Sequence, residues 1–367
     1  MTAFPYYGPA DIDALNMQAV TLLKLFKAKG YDRQEPSVLQ PAALFLDRSG
    51  EEIRRRTFTL TDPSGSDLAL RPDLTIPIAK RVVESGPHFP ARISYNGPVF
   101  RHESKGGKPV QFFQAGVELF GEADKAKGDA EILTLAVEAL RAAGCTDFTI
   151  RMGDLGLFGA LVDALQLPEH WRSRLKRHFW RAGYVETLLD RIGHGDETSH
   201  LPQDEKDIAA LLETQGDAPL AGRTRAEVIT RARAEAAEVL KLDGNVAGAI
   251  TRLLDISAPI AQALADIRAL LKTAGINLDA GLAAVEARVA LLQKLGVDRI
   301  DFNAHFGRSM EYYTGFVFEL RSKYGVELAG GGRYDNLLEL LGASAPVTAV
   351  GCAIHTERLL ATVKGAA

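Results

Sequence analysis

Several polar side chains in the first third of the chain have a spacing that suits an amino-acid-like ligand. Asp73 and Thr75, in the run Arg71-Pro-Asp-Leu-Thr75, supply oxygen acceptors two positions apart. Gln114 and Glu118 lie four positions apart on an alternating segment, so both point to the same face of a predicted strand. A buried glutamate requires hydrogen-bond partners or a positively charged ligand. This set of acceptors predicts a site for a ligand ammonium group.

An arginine and two tyrosines add to this chemistry. Arg101 follows a predicted strand, where its guanidinium group can hold a carboxylate or phosphate through two parallel hydrogen bonds. The alternative is a surface arginine paired with Glu103. Tyr312 and Tyr313 offer hydroxyls for recognition of a ring, although such tyrosine pairs also pack in cores.

Two further motifs are less specific. The run Gly330–Gly332 either cradles a phosphate or turns a corner between a strand and a helix, and it lacks the pattern of a P-loop or a dinucleotide fingerprint. Metal-ligating side chains occur in one glycine-containing stretch, at His194, Asp196, Glu197 and His200. Because no second cluster accompanies them, we predict no metal site.

Composition restricts the class of protein. The 367 residues carry a net charge of −4, with 25% charged and 46% hydrophobic residues, which is ordinary globular usage. The missing basic excess weighs against a dedicated nucleic-acid binder. Cys145 and Cys352 suit small buried hydrophobes in a reducing compartment. With no secretory signal and no apolar run of membrane-spanning length, the expected location is the cytoplasm, away from the membrane.

Hydrophobic periodicity predicts the elements that position these residues. Apolar residues recur at helical spacing over residues 12–26, before Gly30. Strands are predicted at residues 57–60, 67–70, 92–100, 110–119 and 148–152. Lys105–Pro109 is predicted to form a mobile loop. Asp129 is predicted to cap a helix over residues 130–143 that ends at Gly144.

A change of composition divides the chain. Alanine, leucine and charged residues dominate residues 155–295 and predict helices, either as an insertion or packed on the sheet. Strands return at residues 300–304, 316–320, 326–329 and 347–354, with a helix around residues 334–341. We therefore predict an α+β core from residues 1–154 and 296–367, interrupted by a mainly helical segment.

In combination, these segments resemble the catalytic core of class II histidyl-tRNA synthetases. Residues 30–50, 100–121 and 350–359 are similar to the three class II signatures, and residues 308–319 and 328–335 to the two histidine-specific signatures. The resemblance implies an antiparallel class II sheet flanked by helices. It also implies a homodimer that pairs through residues 30–50.

The resemblance assigns roles to individual residues. The histidine-binding set that it implies comprises Asp73, Thr75, Gln114, Glu118, Arg308, Tyr312 and Tyr313. Within that set, Asp73, Thr75 and Gln114 face the ammonium group. Glu118 and Tyr312 face the imidazole, and Arg308 meets the carboxylate. Arg101 and Arg358 form a degenerate anion site where a synthetase holds ATP phosphate.

The chain departs from the synthetase pattern at several positions. Asp73 replaces a glutamate, Pro109-Val110 lies near the place of an additional ATP-binding arginine, and His355-Thr356 replaces a glycine. The sequence ends soon after Arg358, where a synthetase continues into its anticodon-binding domain. These departures predict a retained histidine pocket with compromised ATP and tRNA functions.

That pattern resembles the regulatory subunits of short-form ATP phosphoribosyltransferase, the first enzyme of histidine biosynthesis. The resemblance implies a catalytic-subunit partner, L-histidine as feedback ligand, no catalytic residues of its own and no cofactor. Two alternatives stay open. One is a truncated synthetase-like enzyme that activates an amino acid, and the other is a stand-alone histidine sensor.

Overall fold

The computed structural model of the chain describes residues 4–46, 50–102, 109–165, 167, 169–179, 183–193, 244–307 and 312–365. Several sequence predictions therefore lie outside the described residues: Arg308, Glu103, residues 105–108 of the loop, and the group between His194 and His200. The chain forms two compact units. The first comprises Met1–Leu157, Ser257–Ala265 and Leu278–Ala367, and the second comprises Phe158–Ile256 and Asp266–Asn277.

The strands and helices have the following bounds. The strands are β1 (Asp32–Arg33), β2 (Leu39–Pro41), β3 (Phe58–Thr61), β4 (Asp67–Leu70), β5 (Ala91–Phe100), β6 (Gln111–Phe120), β7 (Phe148–Asp154), β8 (Ser257–Pro259), β9 (Asp301–Asn303), β10 (Phe316–Ser322), β11 (Glu327–Arg333) and β12 (Ala349–His355). The helices are α1 (Pro9–Ala28), α2 (Ala43–Leu46), α3 (Gly50–Arg56), α4 (Thr75–Ser85), α5 (Lys125–Ala142), α6 (Leu155–Ala164), α7 (Glu169–His178), α8 (Tyr184–Gly193), α9 (Gly244–Leu254), α10 (Ile260–Ala274), α11 (Asp279–Lys294), α12 (Leu337–Leu340) and α13 (Thr356–Val363).

A mixed sheet organises the first unit. Among the described residues it has nine strands in the order β1-β5-β6-β12-β11-β10-β7-β9-β8. The pairs β1–β5 and β7–β9 are parallel, and the other neighbours are antiparallel. A separate antiparallel sheet contains β2, β4 and β3. Long-range strand order thus brings β6 from the first third of the chain beside β12 from its end.

The two faces of the large sheet have different environments. Helix α5 packs on β6, β10, β11 and β12 and also contacts α11. Val350 faces α5, since a Cβ at Gly128 would lie 3.5 Å from its Cγ1. Gly351 faces Glu118 on the opposite side. Because side chains alternate along a strand, one face is covered by helix and the other is available to line a site.

Several local predictions are confirmed. The strands predicted at residues 57–60 and 67–70 are present as β3 and β4, and those predicted at residues 92–100 and 110–119 as β5 and β6; both pairs are antiparallel. Gly30 and Gly144 follow α1 and α5 with φ angles of +85° and +90°, the left-handed conformation that favours glycine at helix ends.

No helix in the described ranges combines the length and apolarity that a membrane span requires.

One local prediction is wrong. Asp124 caps α5, accepting a hydrogen bond of 3.1 Å from Lys127 N, whereas Asp129 lies inside the helix and is fully buried. Of the two alternatives left open for Gly330–Gly332, the corner between a strand and a helix is excluded, because all three glycines lie within β11. The helix predicted around residues 334–341 is present as α12, which begins three residues after Tyr334.

The second unit is helical where it is described. It contains α7, α8 and α9, and α8 contacts both of its helical neighbours. Phe158 stacks on Phe179 with ring centroids 4.7 Å apart, which supplies part of its core.

Candidate ligand-binding site

A cavity of about 370 Å³ lies on the face of the large sheet opposite α5. It is lined by every described residue to which the sequence assigned ligand binding: Asp73, Thr75, Arg101, Gln114, Glu118, Tyr312, Tyr313 and Arg358. Its size falls in the range of small-molecule sites. The structure thus brings together residues from both ends of the chain, while their individual roles stay predictions.

Glu118 is the centre of a hydroxyl network. Its Oε1 accepts hydrogen bonds from Thr75 Oγ1 at 2.7 Å and from Tyr95 Oη at 3.2 Å. Its Oε2 accepts a hydrogen bond from Tyr334 Oη. Tyr312 packs against Tyr334 with ring centroids 5.6 Å apart. The carboxylate is therefore held by three hydroxyl donors, one of which belongs to the packed pair of rings Tyr312 and Tyr334.

Asp73 offers a second buried carboxylate. One oxygen accepts a hydrogen bond of 3.0 Å from Ile76 N at the start of α4. The other, Oδ2, has no hydrogen-bond partner among the described residues, although the side chain is only 3% exposed. A buried acceptor without a donor is costly, so this oxygen is suited to a donor supplied by a ligand.

Burial shapes the electrostatics of both carboxylates. Desolvation raises the pKa of Glu118 to about 7, against the opposing effect of its hydroxyl donors. Desolvation also raises the pKa of Asp73 to about 6, with the Ile76 amide and Arg101 acting in the opposite direction. A cation in the cavity would favour the charged form of each group.

Missing side chains make room for Glu118 and its partners. A Cβ at Gly351 would collide with Glu118 Oε2, and a Cβ at Gly116 would collide with Tyr95 Oη. Gly331 faces the Gly351 carbonyl oxygen in the same close manner. Glycine at these positions of β6, β11 and β12 therefore allows the Glu118 and Tyr95 side chains, and the neighbouring strands, to approach the backbone closely.

Arg71 fixes the loop that carries Asp73. Its side chain is buried, and its Nε donates a hydrogen bond of 2.8 Å to the Pro98 carbonyl oxygen. A Cβ at Gly97 would lie 2.5 Å from Arg71 Nη2. Arg71 opens the run Arg71–Thr75 that supplies two predicted ligand-binding residues. In the structure it supports the backbone behind the site and does not line the cavity.

Arg101 lies beside the carboxylates. Its Nε donates to the Pro72 carbonyl oxygen at 2.7 Å, and its guanidinium group lies 5.3 Å from the centre of the Phe112 ring. The Nε of Arg101 thus supports the loop that carries Asp73, so the arginine has a structural contact in addition to any contact with a phosphate. Burial lowers the pKa of Arg101, with Asp73 acting in the opposite direction.

The opposite end of the cavity is formed by the segment after β12. Arg358 Nη1 lies 3.9 Å from Glu327 Oε2 and donates to the Glu327 carbonyl oxygen at 3.3 Å. Glu357 accepts hydrogen bonds from Phe113 N at 2.7 Å and Tyr7 Oη at 3.0 Å. Arg358 therefore faces the cavity with part of its charge balanced by Glu327.

His355 occupies space within this end of the cavity. The imidazole is 7% exposed, and its ring lies 5.7 Å from the Phe112 ring at an angle of 46°. Phe112 shares the face of Gln114 and Glu118, as the alternation of β6 predicted. An aromatic surface that a flat ligand would use is thus partly covered by a protein ring.

Sequence reasoning missed three lining or bonding residues. Tyr334 and Tyr95 bind Glu118, and Tyr7 reaches the cavity from the N-terminal segment. Tyr334 was within a recognised signature, but its role depends on the pairing of distant strands. Among the described residues, no cluster of histidine, cysteine, aspartate or glutamate has the composition of a metal site.

Comparisons with known proteins agree with this geometry. Residues 5–258 and 208–359 match the family model described as histidyl-tRNA synthetase. The crystal structure of an ATP phosphoribosyltransferase regulatory subunit/histidyl-tRNA synthetase from Bacillus halodurans C superposes with a TM-score of 0.74 at 24% identity, covering 99% of this chain and 82% of the other. Histidyl-tRNA synthetase from Nostoc sp. PCC 7120 gives 0.67 at 18% identity, with 99% and 74% covered. The fold is therefore the class II histidyl-tRNA synthetase fold, as predicted.

Relatives at higher identity narrow the assignment. The ATP phosphoribosyltransferase regulatory subunit of Rhizobium rhizogenes is 35% identical over 92% of this chain and 95% of its own length. The protein of the same name from Allorhizobium ampelinum is 36% identical over 93% and 96%. The chain belongs to the family of ATP phosphoribosyltransferase regulatory subunits. This family consists of regulatory subunits rather than enzymes, which confirms the prediction from the motifs.

Proposed function

We propose that this chain is the non-catalytic regulatory subunit of a short-form ATP phosphoribosyltransferase and that it confers control by histidine on the first step of histidine biosynthesis. The shared name of its relatives supports the catalytic partner. The observation that supports histidine as the ligand is that acceptors and hydroxyls from distant parts of the chain line one cavity. No cofactor, metal or tRNA takes part in this function.

Histidine has the complementary chemistry. Its ammonium group would donate to Asp73 Oδ2, with Thr75 and Gln114 nearby in the lining. A carboxylate accepts at about four lone-pair positions, and three are used in Glu118, so one is left for a ring N–H. The carboxylate contact through Arg308 rests on the resemblance to the synthetases. A ligand without ring nitrogens would leave a buried acceptor unpaired and would be rejected.

The quaternary arrangement is part of the proposal. The chain would form a cytoplasmic homodimer through residues 30–50, as class II cores do, and the dimer would bind the catalytic subunit. Light scattering at micromolar concentration should give the mass of a dimer of the 39.7 kDa chain. A monomer mass under these conditions would contradict the pairing.

Assembly and sensing can be tested separately. The catalytic subunit should be captured by this chain and activated, and L-histidine should inhibit the assembled enzyme. The Glu118→Gln variant should still assemble and activate, because Glu118 is buried in the cavity, while inhibition by histidine weakens. Failure to capture the catalytic subunit, together with tight binding of histidine, would favour the stand-alone sensor.

Two arginines in the cavity are the feature that favours the alternative of an amino-acid-activating enzyme. Arg101 and Arg358 line the same cavity, and amino-acid activation depends largely on positioning and charge stabilisation. Under our proposal, His355 and its contact with Phe112 restrict the space for a nucleotide. The purified protein should therefore show no histidine-dependent exchange of pyrophosphate into ATP. Measurable exchange would favour the amino-acid-activating enzyme.

A further inference from the structure

A buried carboxylate outside the cavity joins two arginines. Asp129, inside α5, accepts hydrogen bonds from Arg288 Nε at 2.7 Å and from Arg333 Nε at 2.9 Å. Arg288 also donates to Asp154 at the end of β7, at 2.9 Å. Asp129 is 0% exposed, and both arginines are at most 5% exposed. Side chains from α5, α11, β7 and β11 are thus tied together in the interior of the first unit.

The main chain of Arg333 is tied directly to the cavity wall. Its carbonyl oxygen accepts hydrogen bonds from Thr314 N at 2.8 Å and Thr314 Oγ1 at 3.4 Å. Asp335 N donates to the same Thr314 Oγ1 at 3.1 Å. Thr314 directly follows Tyr312 and Tyr313, so this threonine joins the two segments that carry the tyrosines of the cavity.

The residue between these contacts is Tyr334. Its amide donates to the Ala349 carbonyl oxygen at 2.8 Å, and Ala349 N donates to Asp335 Oδ1 at 2.9 Å. Arg333 Nη1 donates to the same oxygen at 2.8 Å. The backbone on both sides of Tyr334 is therefore fixed, and with it the direction of the phenol towards Glu118.

We propose that Asp129, Arg333 and Thr314 are positioning residues of the ligand site. They hold Tyr312 and Tyr334 in the orientation in which the Tyr334 hydroxyl donates to Glu118. The proposal rests on the proposed function for the identity of the ligand. A buried ion pair adds little stability over an apolar pair of similar volume, so we assign these pairs to geometry: Arg333 donates to Asp129 through both Nε and Nη2. A pocket lined by hydroxyl groups binds its ligand well only if the residues behind it fix the direction of each hydroxyl.

Thr314→Val is the most informative variant because it removes one hydroxyl without breaking the buried ion pairs. Its matched control is Thr134→Val in α5, at a buried threonine whose Oγ1 has no partner among the described residues. Calorimetry with L-histidine should be run well below the unfolding temperature of each protein. We expect roughly three- to tenfold weaker affinity for Thr314→Val and a change within about twofold for the control.

A ligand-free measurement distinguishes this proposal from the proposed function. The pH titration of the side-chain carboxyl carbon of Glu118, followed by nuclear magnetic resonance, reports whether its donors remain in place. Weakening the Tyr334 donor should move the midpoint upwards in Thr314→Val and leave it unchanged in Thr134→Val. An unchanged midpoint and unchanged histidine affinity in Thr314→Val would overturn the positioning role. A shifted midpoint without histidine binding by the natural protein would support positioning and refute the proposed ligand.

Discussion

The phenol of Tyr334 donates a hydrogen bond to Glu118 Oε2, although the two residues lie 216 positions apart in the chain. Two successive strand pairings produce this contact, because β12 lies between β6 and β11. The absence of a side chain at Gly351 leaves the space in which the two groups meet. The recognition chemistry of the cavity therefore depends on the register of β6, β12 and β11.

Replacing Glu118 by glutamine should weaken histidine binding. A charged hydrogen bond to the ring would be lost, and the new amide N–H₂ would face hydroxyl donors. The expected loss is about 1–3 kcal/mol, or roughly ten- to a hundredfold in affinity, measured by calorimetry. Glu138→Gln, on the surface of α5 beside Lys29, is the control and should bind normally. Equal affinities in the two variants would place the histidine site elsewhere.

The stability of the ligand-free protein should depend on the two buried carboxyl groups. The pKa of Asp73 is raised to about 6 and that of Glu118 to about 7, chiefly by burial. Because each folded-state pKa exceeds its unfolded value, the stabilisation is fully present below the unfolded pKa values and is lost as the pH rises through 6 and 7. The contribution is on the order of 3 kcal/mol for each group, since one pKa unit corresponds to about 1.4 kcal/mol.

Urea unfolding between pH 4.5 and 8 measures this dependence. In the natural protein the contribution of these groups to the free energy of unfolding should fall with rising pH, and Asp73→Asn and Glu118→Gln should each flatten part of the slope. Histidine added at pH 7.5 should offset the loss, because its ammonium group favours the charged carboxylates. A slope identical in all three proteins would assign the pH dependence to other groups.

Adding a methyl group at Gly351 should damage both the site and the fold. The new Cβ would overlap with Glu118 Oε2, which lies within a fixed hydroxyl network. We expect Gly351→Ala to destabilise the protein by about 1–3 kcal/mol and to abolish measurable histidine binding. At Gly248, inside α9, a new Cβ would meet only Arg252 Nη2 within 4 Å among the residues that the structure describes, so Gly248→Ala should instead stabilise by up to about 1 kcal/mol. Thermal unfolding and calorimetry on both variants test the contrast in sign.

The two arginines of the cavity should respond differently to removal. Arg101 supports the Pro72 carbonyl oxygen and acts on Asp73, whereas Arg358 is tied to Glu327 at the far end. Arg101→Met should therefore weaken histidine binding about tenfold, and Arg358→Met should leave it within about twofold. Both should weaken binding of inorganic pyrophosphate, the probe for the anion end. A larger loss of histidine affinity in Arg358→Met would contradict this division.

Local spacing predicted the part of the site that lies on one strand. Gln114 and Glu118 share a face because side chains alternate along β6, and this needed no tertiary information. Residue type singled out Asp73, Thr75, Tyr312 and Tyr313, the resemblance to the synthetases joined them to the same site, and the structure places them around the same cavity. Nothing local indicated that Tyr334 would complete the carboxylate network, since its direction is set by the neighbouring strand β12.

Asp129 shows the limit of local reasoning most clearly. An acidic residue before an apolar stretch suits a helix cap, yet Asp124 is the cap and α5 begins four positions before Asp129. The function of Asp129 depends on Arg288 and Arg333, which lie 159 and 204 positions away. Charge pairs of this separation leave no periodic pattern, so the sequence could not indicate them.

The path of the chain limits how the protein can be dissected. Between Leu157 and Leu278 the chain passes through the second unit twice, and in between it returns to contribute β8 to the large sheet. Removing residues 158–277 as a cassette would delete this edge strand and expose the pairing edge of β9. The second unit is therefore not a detachable module. A minimal version of the synthetase-like core must keep Ser257–Pro259 and provide a new connection on each side of it.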